Sequence, residues 1–332
     1  MMLSPPAFWS QDGASPLARL LSPAGRIYGA IVARRIEAAR PARAAVPVVC
    51  IGNVTLGGVG KTPFAALLAN LLTRHGVLAH ILTRGYGGTE KGPVFVSPEA
   101  TFRQVGDEAL LLARHAPVWV ASDRPAGAAE AARNGADAIL MDDGHQNPSL
   151  HKDFSFALID AETGFGNGRI FPAGPLRESP EASLARADAA VFVTRGSGEA
   201  APADLRRRVP AALPKFTAWL EPDSSALDRD KAVFAFAGIA RPERFFDMLR
   251  RQGFALEGTR AFPDHHPFAE SDMQDLLKRA AEHGAQLVTT EKDAVRLPAE
   301  MRAQIRTLPV TMRVSDEAQL LSLLAPALGR PL

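Results

Sequence analysis

Residues 46 to 72 constrain this chain more than any other stretch. Val46-Pro-Val-Val-Cys-Ile51 is a short apolar, β-branched run, the pattern of a strand buried on both faces of a parallel sheet. It leads into Gly52-Asn-Val-Thr-Leu-Gly-Gly-Val-Gly-Lys-Thr62, after which Phe64, Leu67, Leu68, Leu71 and Leu72 recur at helical spacing. Strand, glycine-rich turn and helix N-terminus make the context of a P-loop, whose backbone N–H groups and helix dipole cradle phosphates. The expected nucleotide contacts are Thr55, Leu56, Gly57, Gly58, Val59, Gly60, Lys61 and Thr62. Lys61 reaches the β- and γ-phosphates and the Thr62 hydroxyl ligates Mg²⁺. The usual pattern has glycine where this chain has Thr55, and Gly57, Gly58 and Gly60 supply the backbone freedom instead. With seven lysines against 31 arginines in the chain, a lysine at 61 is no filler.

A P-loop needs a second metal anchor at the end of a neighbouring strand. Ala138-Ile-Leu-Met141 followed by Asp142-Asp143-Gly144 supplies it, with either aspartate able to hold the ion. Further strands read as His80 to Thr83, Val118 to Ala121, Phe156 to Ile159, Ala190 to Thr194, Val233 to Ala237 and Leu287 to Thr290. Helical patterns between them predict an α/β fold, a P-loop NTPase-like, mostly parallel sheet covered by helices. At 332 residues the prior is two domains, or one large domain with additions. Pro202, Pro210 and Pro214, near the arginine run 206 to 208, read as a linker. The expected division is an N-terminal segment over 1–45, a kinase-like domain over 46–205 and a smaller α/β domain over 206–332.

Composition excludes some classes. A net charge of +2 gives no field for nucleic acid. A single cysteine, Cys50, excludes an internal disulfide and fits a reducing compartment. No apolar run is long enough to span a bilayer. Met1 to Pro6 lacks a basic region, and Asp12 and Arg19 interrupt the residues after it, so no signal peptide is expected.

The first forty-five residues differ from the rest. Leu17, Leu20, Leu21, Ala24, Ile27, Tyr28 and Ile31 share one helical face, accompanied by Arg19, Arg26, Arg34, Arg35, Arg40 and Arg43. Ser22-Pro23 reads as an N-cap with proline after it, so a short helix is expected to end there and a longer one to begin. A basic, amphipathic helix lies either in a membrane interface or on the domain's own core.

Leu56-Gly-Gly-Val-Gly-Lys-Thr62 nearly matches the loop of the ParA/MinD-like ATPases, but their signature lysine stands where this chain has Leu56. A small-molecule kinase or ligase is then the stronger class, with a membrane-positioned switch ATPase as competitor. Arg84 and Tyr86, on the glycine-flexed loop after the second strand, suit a phosphate or sugar, or an ordinary turn. Asp107 opens a helix, where capping is the simpler role. In Asp264-His265-His266 no further His/Cys cluster completes a zinc set, and a histidine assisting a carboxylate fits better.

Assembled, these residues resemble the tetraacyldisaccharide 4'-kinase (lipid A 4'-kinase) family. The matching segments run in family order. They are Gly52-Asn53 with Gly57-Gly-Val-Gly-Lys-Thr-Pro63, then Thr83-Arg-Gly-Tyr-Gly-Gly88, Val105-Gly-Asp-Glu108, Ser122-Asp-Arg124, Met141-Asp-Asp-Gly-His-Gln146, Asn167-Gly-Arg-Ile-Phe-Pro-Ala-Gly-Pro-Leu-Arg-Glu178, Phe262-Pro-Asp-His-His266 and Thr290-Glu-Lys-Asp293. The resemblance implies a peripheral enzyme of the cytoplasmic face of the inner membrane, anchored by the N-terminal helix, with no obligate protein partner. It implies ATP- and Mg²⁺-dependent phosphorylation of the 4'-hydroxyl of the lipid A disaccharide 1-phosphate, giving lipid IVA. It makes Asp107 the base, with His265 paired to it. Arg84, Tyr86, Gln146 and Arg177 would position the disaccharide, and Asn167 and Glu291 join as further contacts.

Overall fold

The computed structural model describes residues 6–10 and 15–332. Expectations resting on residues 1–5 and on Asp12 lie outside the described residues. In chain order the strands are β1 (Val48–Asn53), β2 (Ala79–Thr83), β3 (Val94–Phe95), β4 (Val118–Val120), β5 (Ala138–Asp142), β6 (Phe154–Asp160), β7 (Ala189–Thr194), β8 (Lys215–Pro222), β9 (Val233–Ala237), β10 (Leu256–Ala261), β11 (Gln286–Thr290), β12 (Arg306–Leu308) and β13 (Val310–Val314). The helices are α1 (Pro16–Glu37), α2 (Lys61–Arg74), α3 (Phe102–Val105), α4 (Asp107–Leu112), α5 (Arg124–Arg133), α6 (Pro180–Leu184), α7 (Ala203–Arg207), α8 (Pro242–Arg251), α9 (Glu270–Glu282), α10 (Glu291–Ala294) and α11 (Glu317–Leu328).

The large sheet has the order β13-β8-β7-β6-β1-β5-β2-β4-β3. From β8 to β4 it is parallel, and the edge strands β13 and β3 run antiparallel to their neighbours. All six residues of β1 are buried, because the sheet is covered on both faces. Val49 and Ile51 join Phe64 and Leu68 of α2 and Leu320 and Leu324 of α11. Val48, on the opposite face, joins Ile139 and Met141 of β5 and Ala128 and Ala131 of α5. Cys50 lies in the same strand, wholly buried, and burial pushes its thiol up to about 11.

A second sheet, β10-β9-β11-β12, is parallel throughout. Its central strand splits by parity in the same way. Val233, Ala235 and Ala237 meet Phe245, Phe246 and Leu249 of α8, while Phe234 and Phe236 meet Met273 and Leu276 of α9. The chain leaves the large sheet at Pro222 and returns to it at Val310, so β8 and β13 form the antiparallel connection between the two lobes. That crossing lies one strand later than a division at 205. The prolines read as a linker flank α7 and precede β8, whose alternating Phe216 and Ala218 are buried.

The expected break at Ser22-Pro23 is corrected: α1 is one helix of 22 residues with Pro23 inside it. Ser22 caps nothing; its Oγ donates to the Ala18 carbonyl at 2.7 Å. Contacts on one side hold the two halves in line. A Cβ on Gly25 would come within 2.6 Å of the Ile170 carbonyl oxygen, and Gly29 faces the Ile170 side chain. Tyr28 packs edge-on against Phe171. The helix therefore docks through small residues and leaves its large ones out: Leu20, Ile27 and Ile31 are 75, 63 and 62% exposed.

Gly25→Val should undock α1, seen as faster proteolysis at Arg26 and Arg34 with the melting temperature of the remainder little changed. Leu20→Ser and Ile27→Ser should leave both readouts at parental values; equal proteolysis in all three variants would contradict this docking.

Candidate active site

The functional side chains gather at the carboxyl ends of β1, β5 and β2, where open α/β sheets bind ligands. After β1 the chain turns through Gly57 (φ 111°) and Gly60 (φ 97°) into α2. A Cβ on Gly57 or Gly58 would meet nothing within 4 Å, so the loop borders open space wide enough for phosphate oxygens. The loop is pinned from outside by the Leu56 N–H, which donates to the Pro175 carbonyl at 2.7 Å, and by the bridge of Thr55 with Leu176. Lys61 Nζ donates to Asn53 Oδ1 at 3.3 Å and lies 3.6 Å from Asp143 Oδ1. Thr62 stands in the first turn of α2, half-buried.

Asp142 and Asp143 have opposite surroundings. Asp142 ends β5 and is 2% exposed, and its Oδ1 is buried with no hydrogen-bond partner among the described residues. Burial first, then the Glu108 carboxylate, pushes its carboxyl up to about 7, against the pull of Lys61. Asp143 sits at φ 51° and is forked by Arg177, Nη1 to Oδ1 at 2.9 Å and Nη2 to Oδ2 at 3.2 Å. Burial raises its carboxyl, but Lys61 and Arg177 outweigh it and bring it down to about 2. An orphaned, half-neutral carboxylate beside an open phosphate cradle fits a divalent cation, since an ion there supplies the missing partner.

The second cluster crosses between the lobes. Gly106, at φ 87°, lies so close to the Tyr86 carbonyl that a Cβ would collide with it, and Asp107 follows as the first residue of α4. Asp107 is 3% exposed. Its Oδ1 accepts from the Glu108 N–H at 2.8 Å, and its Oδ2 lies 2.8 Å from His265 Nδ1 and 3.3 Å from Arg296 Nε. Burial raises this carboxyl, but His265, Lys292 and Arg296 together hold it below its ordinary value. With Nδ1 donating to Asp107, Nε2 of His265 accepts from Lys292 Nζ at 3.4 Å. Lys292 also donates to Glu108 Oε1 at 3.1 Å; burial opposes its charge, and Glu108, Asp107 and Asp264 more than restore it. Tyr86, half exposed, stacks at a tilt on the His265 ring, centroids 5.3 Å apart.

Lys61, Asp142, Asp143, Arg177, Asp107, His265 and Tyr86 thus come to one side of the molecule. Arg84 is exposed after β2, near Arg124, with no hydrogen bond or ion pair among the described residues. His266 turns away and bonds Asp272 at 2.8 Å, so the pair with Asp107 is His265's. Three other expected contacts are taken up by protein. Gln146 spans the Asn53 carbonyl, Glu178 and Arg177. Asn167 ties the Phe8 and Ala173 carbonyls together. Glu291 holds Arg114 and the Val310 N–H. Sequence reasoning missed Arg296 and gave Lys292, inside the Thr290-Glu-Lys-Asp293 segment, no role; the two sit four residues apart on one face of α10 and its continuation. Glu108 and Asn53 stand inside segments that carry the resemblance, but their contacts with Lys292 and Lys61 had no sequence signal.

The family model described as tetraacyldisaccharide-1-P 4'-kinase matches residues 17–329. The chain belongs to this family. Proteins named tetraacyldisaccharide 4'-kinase resemble it along nearly their whole length. That of Paramagnetospirillum magneticum is 49% identical, over 92% of this chain and 93% of its own. That of Methylobacterium nodulans is 51% identical, over 99% and 97%. The crystal structure of LpxK from Aquifex aeolicus in complex with ATP has a TM-score of 0.78 at 26% identity, covering 94% of this chain and 99% of that one. The family's fold is the α/β, mostly parallel sheet found here. Membership makes the chain a phosphotransferase and favours the kinase expectation over the switch ATPase.

A carboxyl that ionises near 7 when folded and at 3.8 otherwise keeps its proton longer in the native state. Native stability therefore falls as pH rises between those values, and the loss is complete above them. With chelator present, Asp142→Asn should melt above the parent at pH 8, and the gap should close towards pH 4. A gap that does not change with pH would contradict the assignment.

Proposed function

We propose that this chain transfers the γ-phosphate of ATP to the 4'-hydroxyl of the lipid A precursor disaccharide 1-phosphate, giving lipid IVA, at the cytoplasmic face of the inner membrane. Family membership supports the reaction and the phosphate cradle at Gly57–Lys61 supports the nucleotide. The observation that carries the mechanism is the Asp107–His265 contact of 2.8 Å, made between lobes beside the P-loop. In the proposal the 4'-oxygen bonds to the γ-phosphorus while the bond to the β–γ bridging oxygen breaks and ADP leaves. The proton of the 4'-hydroxyl passes to Asp107, which its surroundings keep ionised at neutral pH. His265 holds that carboxylate through Nδ1–H and aims it.

Thr62, Asp142 and Asp143 would hold Mg²⁺. The ion supplies charge neutralisation at the β- and γ-phosphates. Lys61, released from Asn53 and Asp143, would move to the same phosphates. Arg84, Tyr86 and Arg177 would orient the disaccharide and its 1-phosphate. Gln146, Asn167 and Glu291 enter as supports of the loops that carry those groups. The site draws on both lobes, so their relative placement sets the approach of hydroxyl to phosphate.

The exposed face of α1 supports peripheral attachment. Leu17, Leu20, Ile27 and Ile31 stand in solvent beside Arg19, Arg26, Arg34 and Arg35, the arrangement that enters an anionic interface. No helix of the described residues is long and apolar enough to cross a membrane.

The test of the reading is ADP release by purified protein with ATP, with and without detergent-solubilised disaccharide 1-phosphate. Dependence on the disaccharide is expected; equal hydrolysis without it would support a switch ATPase. Lys61→Ala should abolish most turnover. Asp107→Asn and His265→Ala should each lower it by about 10²- to 10⁴-fold, and the double variant should be little worse than the slower single one. Full activity in Asp107→Asn would return that residue to a helix-opening role.

Replacing Leu20, Ile27 and Ile31 together by serine should release the protein from vesicles containing anionic lipid in a flotation assay, with its melting temperature retained. Vesicle binding equal to the parent's would place the attachment elsewhere.

A further inference from the structure

We propose that Arg296, locked by Asp293, is a positioning residue that holds the Asp107 carboxylate and the His265 segment in register across the two lobes. The inference rests on the reading of Asp107 as proton acceptor. Arg296 is 3% exposed, and Asp293 is wholly buried. The guanidinium fork is engaged at every nitrogen. Nε lies 3.3 Å from Asp107 Oδ2 and donates to the Lys292 carbonyl at 3.3 Å. Nη1 donates to the His266 carbonyl at 3.2 Å, and Nη2 to the Gly238 carbonyl at 2.9 Å and to Asp293 Oδ1. The same Gly238 carbonyl accepts the His265 N–H at 3.0 Å. One side chain therefore touches the acid on α4 and both backbone anchors of the histidine.

Asp293 makes the lock. Its carboxylate accepts the Gly238 N–H at 2.9 Å and the Thr290 hydroxyl at 2.6 Å as well as Arg296. These bonds leave the guanidinium no freedom to follow Asp107, so Asp107 must come to it. His265 takes φ 59°, unusual for a residue with a side chain, and the anchored Gly238 and His266 carbonyls hold it there.

The charge has a second consequence. The groups facing Asp107 are His265, Lys292 and Arg296, with Glu108 beside it and Asp264 beyond Lys292. Only the guanidinium among the cations cannot give up its proton. It helps keep Asp107 as the carboxylate, the state able to accept a proton. A lysine would keep the charge but could not fork to two carbonyls and an acid at once.

The experiment compares the full-length parent with R296M, R296K, the double variant R296M/D293N and D107N. Each is assayed with ATP and the detergent-solubilised disaccharide for kcat, KM and pH dependence. R296M should lose about 100-fold in kcat with KM for the disaccharide little changed, and its rate should begin to fall at a higher pH than the parent's. R296K should restore the parental pH dependence but only part of kcat. Because R296M alone strands the buried Asp293 carboxylate, the double variant removes both charges and protects the fold; it should be as slow as R296M. Parental kcat and pH dependence in a folded R296M/D293N or R296K would overturn the proposal. D107N separates the two readings. If D107N is slow while R296M/D293N is not, the positioning role fails alone. If D107N is fully active, the reading beneath it fails.

Discussion

A carboxylate from one lobe, buried between an imidazole and a guanidinium from the other, ties this molecule together. Asp107 is almost wholly removed from water, and the cationic groups that face it, His265, Lys292 and Arg296, all belong to the smaller sheet's lobe. A buried charge without partners is costly, about 3–5 kcal/mol when one is removed. The contact therefore favours the register of the lobes in which the site is assembled. Asp160 repeats the device at the end of β6, where Arg241 Nη1 and Arg244 Nη2 reach its Oδ2 at 2.9 and 2.8 Å. Both acids come from the large sheet's side and both sets of cations from the other.

The acids after β5 divide their work by environment. Asp143 is saturated by Arg177 and Lys61, whereas Asp142 next to it is short of a partner. Adjacent residues in an extended strand point to opposite sides, and the left-handed turn at Asp143 changes that, bringing its carboxylate back over the P-loop lysine. Asp143 and His265 are the non-glycine residues with positive φ among those described. Each stands where a close-packed cluster of partners holds the backbone in a conformation it would not choose alone.

The N-terminal helix shows how a sequence pattern can be right about a face and silent about its use. Its large apolar residues do share one side, but the protein packs the neighbouring stripe, where Gly25 and Gly29 allow close approach to Ile170 and Tyr28 at its border meets Phe171. That loop also pins the P-loop through Pro175 and Leu176. A load on the helix thus bears on the segment next to the phosphate cradle.

Local chemistry was legible in the amino-acid sequence. The apolar runs of β1, β5, β6, β7 and β9, the glycine-rich turn before Lys61 and the acids after Met141 each follow from neighbours within a few residues. Those signals determined an α/β sheet with a phosphate site at its strand ends, and the order of motifs pointed to the family. Tertiary structure decided what lies far apart in the chain. Arg296 carries no local sign of its role, since it consists of reaching Asp107 some 190 residues earlier, and the sequence segment that holds Lys292 does not tell that it meets Glu108. Gln146, Asn167 and Glu291 looked like ligand contacts because they are polar and sit in recognisable segments, yet neighbours from distant loops take up their hydrogen bonds. Strands β8 and β13 were hidden for a related reason. Each is a half-buried, partly polar segment that becomes a strand by pairing with the other across some 90 residues. A side chain's type and its near neighbours set what it can do; only the folded chain sets which partner it meets.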